Sequence, residues 1–229
     1  LMPLRYTVCL YTSTEFDRVI AKLTVSKRPS AVESARYLEE QVCRREAGSI
    51  NTDYLQYSLR QASLGVMVAW QDGVIKGFVM LSMLKHNDVK YVYVSAVCAR
   101  VESRGLGRAL LDLVETVTHR LGVPKLHLHA ANANLVKAYG KMGYVECDAP
   151  EFNCKRGTCP QLAPTEILYD GEVDGYKMTK CVRDVPVSEM LLLSSKFFDT
   201  LDAMHLSFED DPAAAYQLSP RRIRRRVVS

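Results

Sequence analysis

A strand that runs straight into a glycine turn and then a helix limits the folds open to this chain more than any other feature. Tyr91 to Val97 reads as a strand, Arg104-Gly105-Leu106-Gly107 follows, and Leu110, Val114, Val117 and Leu121 then recur at helical spacing. Arg108, Asp112, Glu115 and Arg120 fall on the other helical faces, and Gly122 with Pro124 ends the run. Such a unit aims several backbone N–H groups at one point, where the helix dipole adds partial positive charge. It can hold phosphates without many basic side chains. Lys125 to Ala130 then reads as a second strand, with Leu126 and Leu128 on one face and His127 and His129 on the other. A further helix is predicted from about Asn134 to Lys141.

A lone Gly-x-Gly is weak evidence, because glycines also occur wherever backbones turn or cross. The second half of the pattern adds specificity: Asn132 is followed at fixed spacing by Tyr139, Lys141 and Gly143-Tyr144. Together the two motifs resemble the GNAT superfamily of acetyl-CoA-dependent N-acetyltransferases. That family carries Gln/Arg-x-x-Gly-x-Gly/Ala at its central helix and Asn…Leu-Tyr-x-Lys-x-Gly-Phe further on. Two registers are open for the first motif. Arg104-x-x-Gly107-x-Ala109 matches it literally, whereas Glu102-x-x-Gly105-x-Gly107 places Leu110 and Leu111 where the family has them and is preferred. It puts a carboxylate near the phosphates, so Glu102 is expected to turn away while Arg104 and Arg108 supply charge. Ala138 stands where the family usually has Leu.

The resemblance implies an α/β (α+β) fold with a GNAT-like mixed, largely antiparallel central sheet flanked by helices. It also implies acetyl-CoA as cosubstrate and direct acetyl transfer to a primary amine, on a small molecule or on a protein lysine or N-terminus. The cosubstrate would lie along Ser95, Ala96 and Val97, over the loop residues Arg104, Gly105, Leu106, Gly107 and Arg108, and near Asn132. Tyr139 would be the general acid, since a phenol can protonate a departing thiolate while staying neutral. Its alternative reading is a core aromatic on an amphipathic helix. Relatives that act on histone lysines or arylalkylamines keep Glu or His at positions occupied here by Tyr91 and Tyr93. Neither tyrosine is a ready base near neutral pH, so an ordered water chain or a different residue is expected to serve as base, with Tyr93 kept among the catalytic candidates. His129 is the best titratable candidate, although a structural role is the stronger reading of both His127 and His129.

The rest of the chain agrees with one catalytic domain over 1–182 and a C-terminal extension over 183–229. At 25.8 kDa and 48% hydrophobic residues it can bury a good-sized core. Arg5 to Tyr11 is a predicted strand, Thr14 to Leu23 and Ala31 to Arg45 are predicted helices, and Tyr54 to Gln61 is a short helix. Val66 to Trp70 and Val74 to Met83 flank Asp72-Gly73, a hairpin signal, and Tyr176 to Val182 is the last predicted strand. No apolar run approaches the roughly twenty residues of a membrane span, and Leu1 to Thr12 lacks the sections of a secretory leader. Seven cysteines, with Cys9, Cys43, Cys98 and Cys181 in patterned segments as small buried groups, point to a reducing compartment. A cytoplasmic location, with a nuclear one as alternative, is therefore expected.

Cys147, Cys154 and Cys159 lack the paired spacing of a zinc site, and no metal is expected. The connection from Asp148 to Asp174 reads either as a specificity lid or as a surface insertion; Glu151, Glu166, Asp170, Glu172 and Asp174 would favour a cationic acceptor. Val187 to Leu206 reads as an amphipathic helix. After an acidic linker, the last eleven residues carry five arginines, while the whole chain carries only +4. That tail is either a disordered solubilising end or a contact for nucleic acid or another polyanion. A non-catalytic acyl-CoA-binding regulator with such a tail is the alternative function. A Rossmann reading is weaker, because a hairpin precedes the glycine loop and no acidic residue ends the next strand.

Overall fold

The computed structural model describes residues 5–43, 50–86, 89–146, 165–168, 172–204 and 207–210. Strands β1 (Tyr6–Tyr11), β2 (Gly65–Gln71), β3 (Val74–His86) and β4 (Val89–Ala99) form an antiparallel meander, preceded in part by helices α1 (Ser13–Leu23), α2 (Ala31–Gln41) and α3 (Thr52–Gln61). Helix α4 (Leu106–Arg120) then crosses to β5 (Lys125–Ala130), which pairs parallel to β4. Helix α5 (Ala133–Lys141), β6 (Val145–Glu146), β7 (Thr165–Leu168), β8 (Glu172–Cys181), β9 (Leu191–Leu193), α6 (Phe197–Ala203) and β10 (Glu209–Asp210) complete the described elements. Along the sheet the order is β6-β8-β5-β4-β3-β2-β1-β9. The sheet is therefore mixed and largely antiparallel, with helices on both faces. No helix among the described residues is long and apolar enough to cross a membrane.

Local chemistry explains most boundaries. Thr12 caps α1 reciprocally with Glu15, and Ser30 and Asn51 cap α2 and α3 through their side chains. Asp72 and Gly73 both have positive φ, 51° and 73°, as a two-residue hairpin turn requires. Alternation along the strands then sorts side chains to two cores. Val8, Leu10, Met67, Val79, Leu81, Val92 and Val94 meet Leu106, Leu110, Leu113, Val114 and Val117 of α4. Val66, Val68, Phe78 and Met80 meet Phe16, Ile20, Leu38, Leu55 and Leu59 of the first three helices.

One residue disturbs that alternation. In the β3–β4 ladder Met80 pairs with Ala96 and Leu81 with Val94, so Ser95 is an extra residue in β4. A one-residue insertion inverts the side-chain faces beyond it. Accordingly Val92 and Val94 lie in the α4 core, whereas Ala96 and Cys98 lie in the opposite one.

Several expectations change. The segment expected as one helix from Val187 to Leu206 instead forms β9, which pairs parallel with β1, and then the short α6. Leu191, Phe197 and Leu201 are buried in the same core as α4, because β9 covers the edge that β1 would otherwise expose. Cys43 and Cys98, expected as free thiols, are joined by a disulfide between the end of α2 and β4; Cys9 and Cys181 are free. Within the 148–174 connection, β7 pairs with β8, as Thr165 with Gly175 through Leu168 with Glu172. The rest of that connection's proposed lid, its cysteines and the arginine tail lie outside the described residues. Among the described residues no group of His, Cys, Asp and Glu could hold a metal.

Helix α4 is tied to the far strand by charge as well as by packing. Glu115 is 1% exposed; its carboxylate bonds the Lys180 ammonium on β8 and accepts the Arg183 N–H at 2.9 Å. Removing one partner leaves the other charge buried and unpaired. Glu115→Ala should therefore cost about 3–5 kcal/mol, read from urea unfolding, whereas Glu115→Leu combined with Lys180→Met should recover most of that loss.

Candidate functional site

The β4–β5 ladder runs from Tyr91↔Lys125 to Val94↔Leu128 and stops there, although β4 continues to Ala99 and β5 to Ala130. Beyond that point β5 stays with β8, through His129↔Lys177 and Ala130↔Tyr176. The two parallel strands therefore fork beside Ser95, where the bulge bends β4. Backbone polar groups along an open strand edge need a partner, so the fork offers an extended ligand a ready hydrogen-bonding edge. Ser95 Oγ itself donates to the Met80 carbonyl at 3.4 Å, and Ala96 points into the core under the first helices. Val97 packs on the α4 side.

Helix α4 begins where this open edge ends. Gly105 is its N-cap, with φ 82°, and no side chain caps the helix. An added Cβ there would meet nothing nearer than Met190 Sδ at 3.8 Å, so backbone conformation and not space requires glycine. The first-turn N–H groups have no intrahelical acceptors; the Leu106 N–H bonds back to the Ser103 carbonyl at 3.1 Å. The buried side chain of Leu106 anchors the turn while Gly107 lies within the helix. The register beginning at Glu102 spans this loop, whereas the one beginning at Arg104 would lie mostly inside α4.

Charge around the loop is distributed as chemistry for an anion would require. Glu102 pairs with Lys76 at 3.4 Å and with Arg100 at 3.9 Å. A backbone hydrogen bond and these cations hold its carboxyl below the usual range. Arg104 is exposed, and Arg108 is exposed with its nearest carboxylate, Asp112, at 3.9 Å.

On the β5 side, Asn132 caps α5: its side-chain oxygen accepts the Leu135 N–H at 3.0 Å. Tyr139 lies two turns on, half-buried against the α4-side core, its ring 5.9 Å from that of Tyr144. Burial, with Glu115 next in strength, pushes the Tyr144 phenol far above its ordinary range.

The structure brings together two of the separately expected catalytic candidates. Tyr93 hydroxyl and His129 Nδ1 are 3.1 Å apart across the last turn of the ladder. They sit in a cluster with Tyr91 and His127, whose rings stack edge-on at 5.7 Å. Burial, then the neighbouring His127 and Lys177, push the His129 imidazole well below its usual value, so it is neutral near pH 7. Two members of this surrounding were not read from the sequence. Lys177 faces His129 only because β8 pairs antiparallel with β5. Tyr54 arrives from α3, where its hydroxyl donates to the Ser95 carbonyl and reaches the Tyr93 hydroxyl. Neither contact has a signature in local spacing, since both join segments far apart in the chain.

Comparison with known proteins agrees with this geometry. Residues 33–157 match the acetyltransferase (GNAT) domain family. Among solved structures, Ard1 from Thermoplasma volcanium superposes with a TM-score of 0.51 at 14% identity, over 79% of this chain and 99% of that one. The ribosomal-protein-S18-alanine N-acetyltransferase from Escherichia coli gives 0.47 at 18%, over 82% and 99%. At these identities the Ard1 likeness is one of fold alone. No curated protein matches the chain significantly. The domain match covers more than half of the 229 residues, and the chain belongs to the GNAT acetyltransferase family.

Proposed function

We propose that the protein is an acetyl-CoA-dependent N-acetyltransferase that transfers acetyl directly to a primary amine. One observation carries this reading: the strands fork at a bulge whose open edge leads to the uncapped N-terminus of α4. An extended pantetheine arm with a pyrophosphate at one end fits that succession of open strand edge and anion-binding turn. Ser95, Ala96 and Val97 would run beside the arm; Arg104, Gly105, Leu106, Gly107 and Arg108 would surround the phosphates. Asn132 would shape the mouth by fixing the start of α5. The acceptor is a small amine or a protein lysine or N-terminus.

The chemistry follows from what each group can do. The amine nitrogen attacks the thioester carbonyl carbon, a C–N bond forms, and the C–S bond breaks. The nitrogen must lose a proton and the sulfur must gain one. Tyr93 would pass a proton to His129 Nδ1 while accepting one from the nitrogen, directly or through water. A neutral imidazole suits that role, and its depressed basicity restricts it to the acidic tetrahedral ammonium. Tyr139 would protonate the thiolate.

The decisive experiment follows free-thiol release from acetyl-CoA across small amines, lysine peptides and free peptide N-termini. Turnover with at least one class is expected, and Tyr139→Phe should lower kcat about a hundredfold with little change in acetyl-CoA binding. Acetyl-CoA binding without thiol release from any amine would favour the acyl-CoA-binding regulator instead.

Anion recognition can be separated from folding. A Cβ at Gly107 meets only Ala99 Cβ, at 4.0 Å, and a carboxylate in a first helical turn is favourable to the helix itself. Gly107→Glu should keep the melting temperature while acetyl-CoA affinity, measured by calorimetry, falls at least about tenfold.

The proton path has a pH signature. Because the folded His129 holds its proton less well than ordinary histidine, it stays neutral as pH falls through the usual histidine range. With a weakly basic amine at saturation, the acidic fall of kcat should lie below about pH 6.5. Lys177→Met removes a cation that disfavours imidazolium, so that limb should move to higher pH.

A further inference from the structure

Helix α3 meets the fork through a single phenol. Tyr54 stands at the third position of α3, and its hydroxyl donates to the carbonyl of Ser95, the bulge residue of β4. The same hydroxyl reaches that of Tyr93, which in turn contacts His129 Nδ1 at 3.1 Å. Three secondary-structure elements thereby converge on one row of groups: α3 through Tyr54, β4 through Ser95 and Tyr93, and β5 through His129. Leu55 and Leu59 anchor α3 in the core against β2, β3 and β4, so the phenol is held from a rigid base.

We propose that Tyr54 is a positioning residue, whose hydroxyl fixes the Ser95 peptide at the fork and sets the orientation of Tyr93 toward His129. The physical need is specific. A bulge places an unpaired residue in a strand and frees its peptide to rotate. The β4–β5 ladder has already ended at Val94, so β5 gives the bulge no support. Tyr54 supplies that support from outside the sheet. Burial raises its phenol above the ordinary range, so it stays a neutral donor near pH 7. This role rests on the transferase reading above but adds a residue from a helix outside the glycine-loop and Asn132–Tyr144 motifs.

Tyr54→Phe keeps the ring and removes only the oxygen, and it tests the inference. Loss of one buried hydrogen bond that orients a reacting group should lower kcat about tenfold, with acetyl-CoA affinity within about twofold of the parent. A double-mutant cycle with Tyr93→Phe should be non-additive, because the two hydroxyls act through one contact. Additive effects, or a kcat equal to that of the parent, would overturn the proposal. Hydrogen exchange of the Tyr93–Ala99 peptide gives a readout that needs no acceptor amine. Its amides should exchange faster in Tyr54→Phe, while exchange in β1 and β2 is unchanged. Unaltered protection of that peptide would overturn the role of Tyr54 even in an active enzyme. Faster exchange in a chain that acetylates no amine would support the anchor and refute the transferase reading alone.

Discussion

One extra residue in β4 governs the geometry on which the rest depends. Ser95 has no partner opposite it on β3, so the strand bends there and its side-chain faces invert. Up to Val94 the strand serves as an ordinary central member, paired on both edges. From Ser95 onward, among the described residues, it is paired only to β3 and its other edge is open. The opening is thus built into the center of the sheet, where packing on both faces makes it rigid. A site that must orient a flexible cosubstrate and a reacting amine gains most from such a rigid frame.

The helices hold that frame from both sides. Helix α4 leaves β4 through Gly105, buries Leu106, Leu110, Leu113, Val114 and Val117, and returns the chain to β5 in parallel. Glu115 fastens the same helix to Lys180 on β8, beyond β5. On the opposite face α2 is covalently joined to β4 through Cys43–Cys98, and α3 reaches the bulge through Tyr54. The fork is therefore braced by a salt bridge, a disulfide and a phenol, each from a different element. Strand β9 and helix α6 extend the sheet beyond β1 and join the α4-side core, so the segment after Arg183 contributes to the fold.

The electrostatics separate into two regions. Around the α4 N-terminus Glu102 is paired with Lys76 and Arg100, while the exposed Arg104 and Arg108 lie beside the positive end of the helix dipole, Arg108 with Asp112 at 3.9 Å. At the fork the Tyr54 and Tyr93 phenols and the His129 imidazole lie together, with Lys177 opposite His129. Burial keeps His129 uncharged, and Tyr93 and Tyr54 present hydroxyls. Under the proposed function, binding of a polyanion and movement of a proton would fall at different ends of the same open edge.

Much of this was legible in the sequence because it is written in local spacing. The hairpin at Asp72-Gly73, the extent of β5, the stripe of α4 and the alternation of Leu126 and Leu128 against His127 and His129 all depend on residues a few positions apart. The two glycine and Asn–Tyr motifs placed the family for the same reason. Local spacing misled over Val187 to Leu206, where helical periodicity describes a segment that the open edge of β1 recruits as a strand. Cysteine counting likewise missed the Cys43–Cys98 bond, which joins residues 55 positions apart in the chain. The sequence by itself determined the order of elements from β1 to α5, the glycine turn before α4 and the residue types that gather there. Only the tertiary structure decided where the β4–β5 ladder ends, which face each residue after Ser95 takes, and that Tyr54, Tyr93 and His129 share one row of contacts. Those features arise from strand register and long-range packing, where a shift of one residue exchanges the two faces of a sheet.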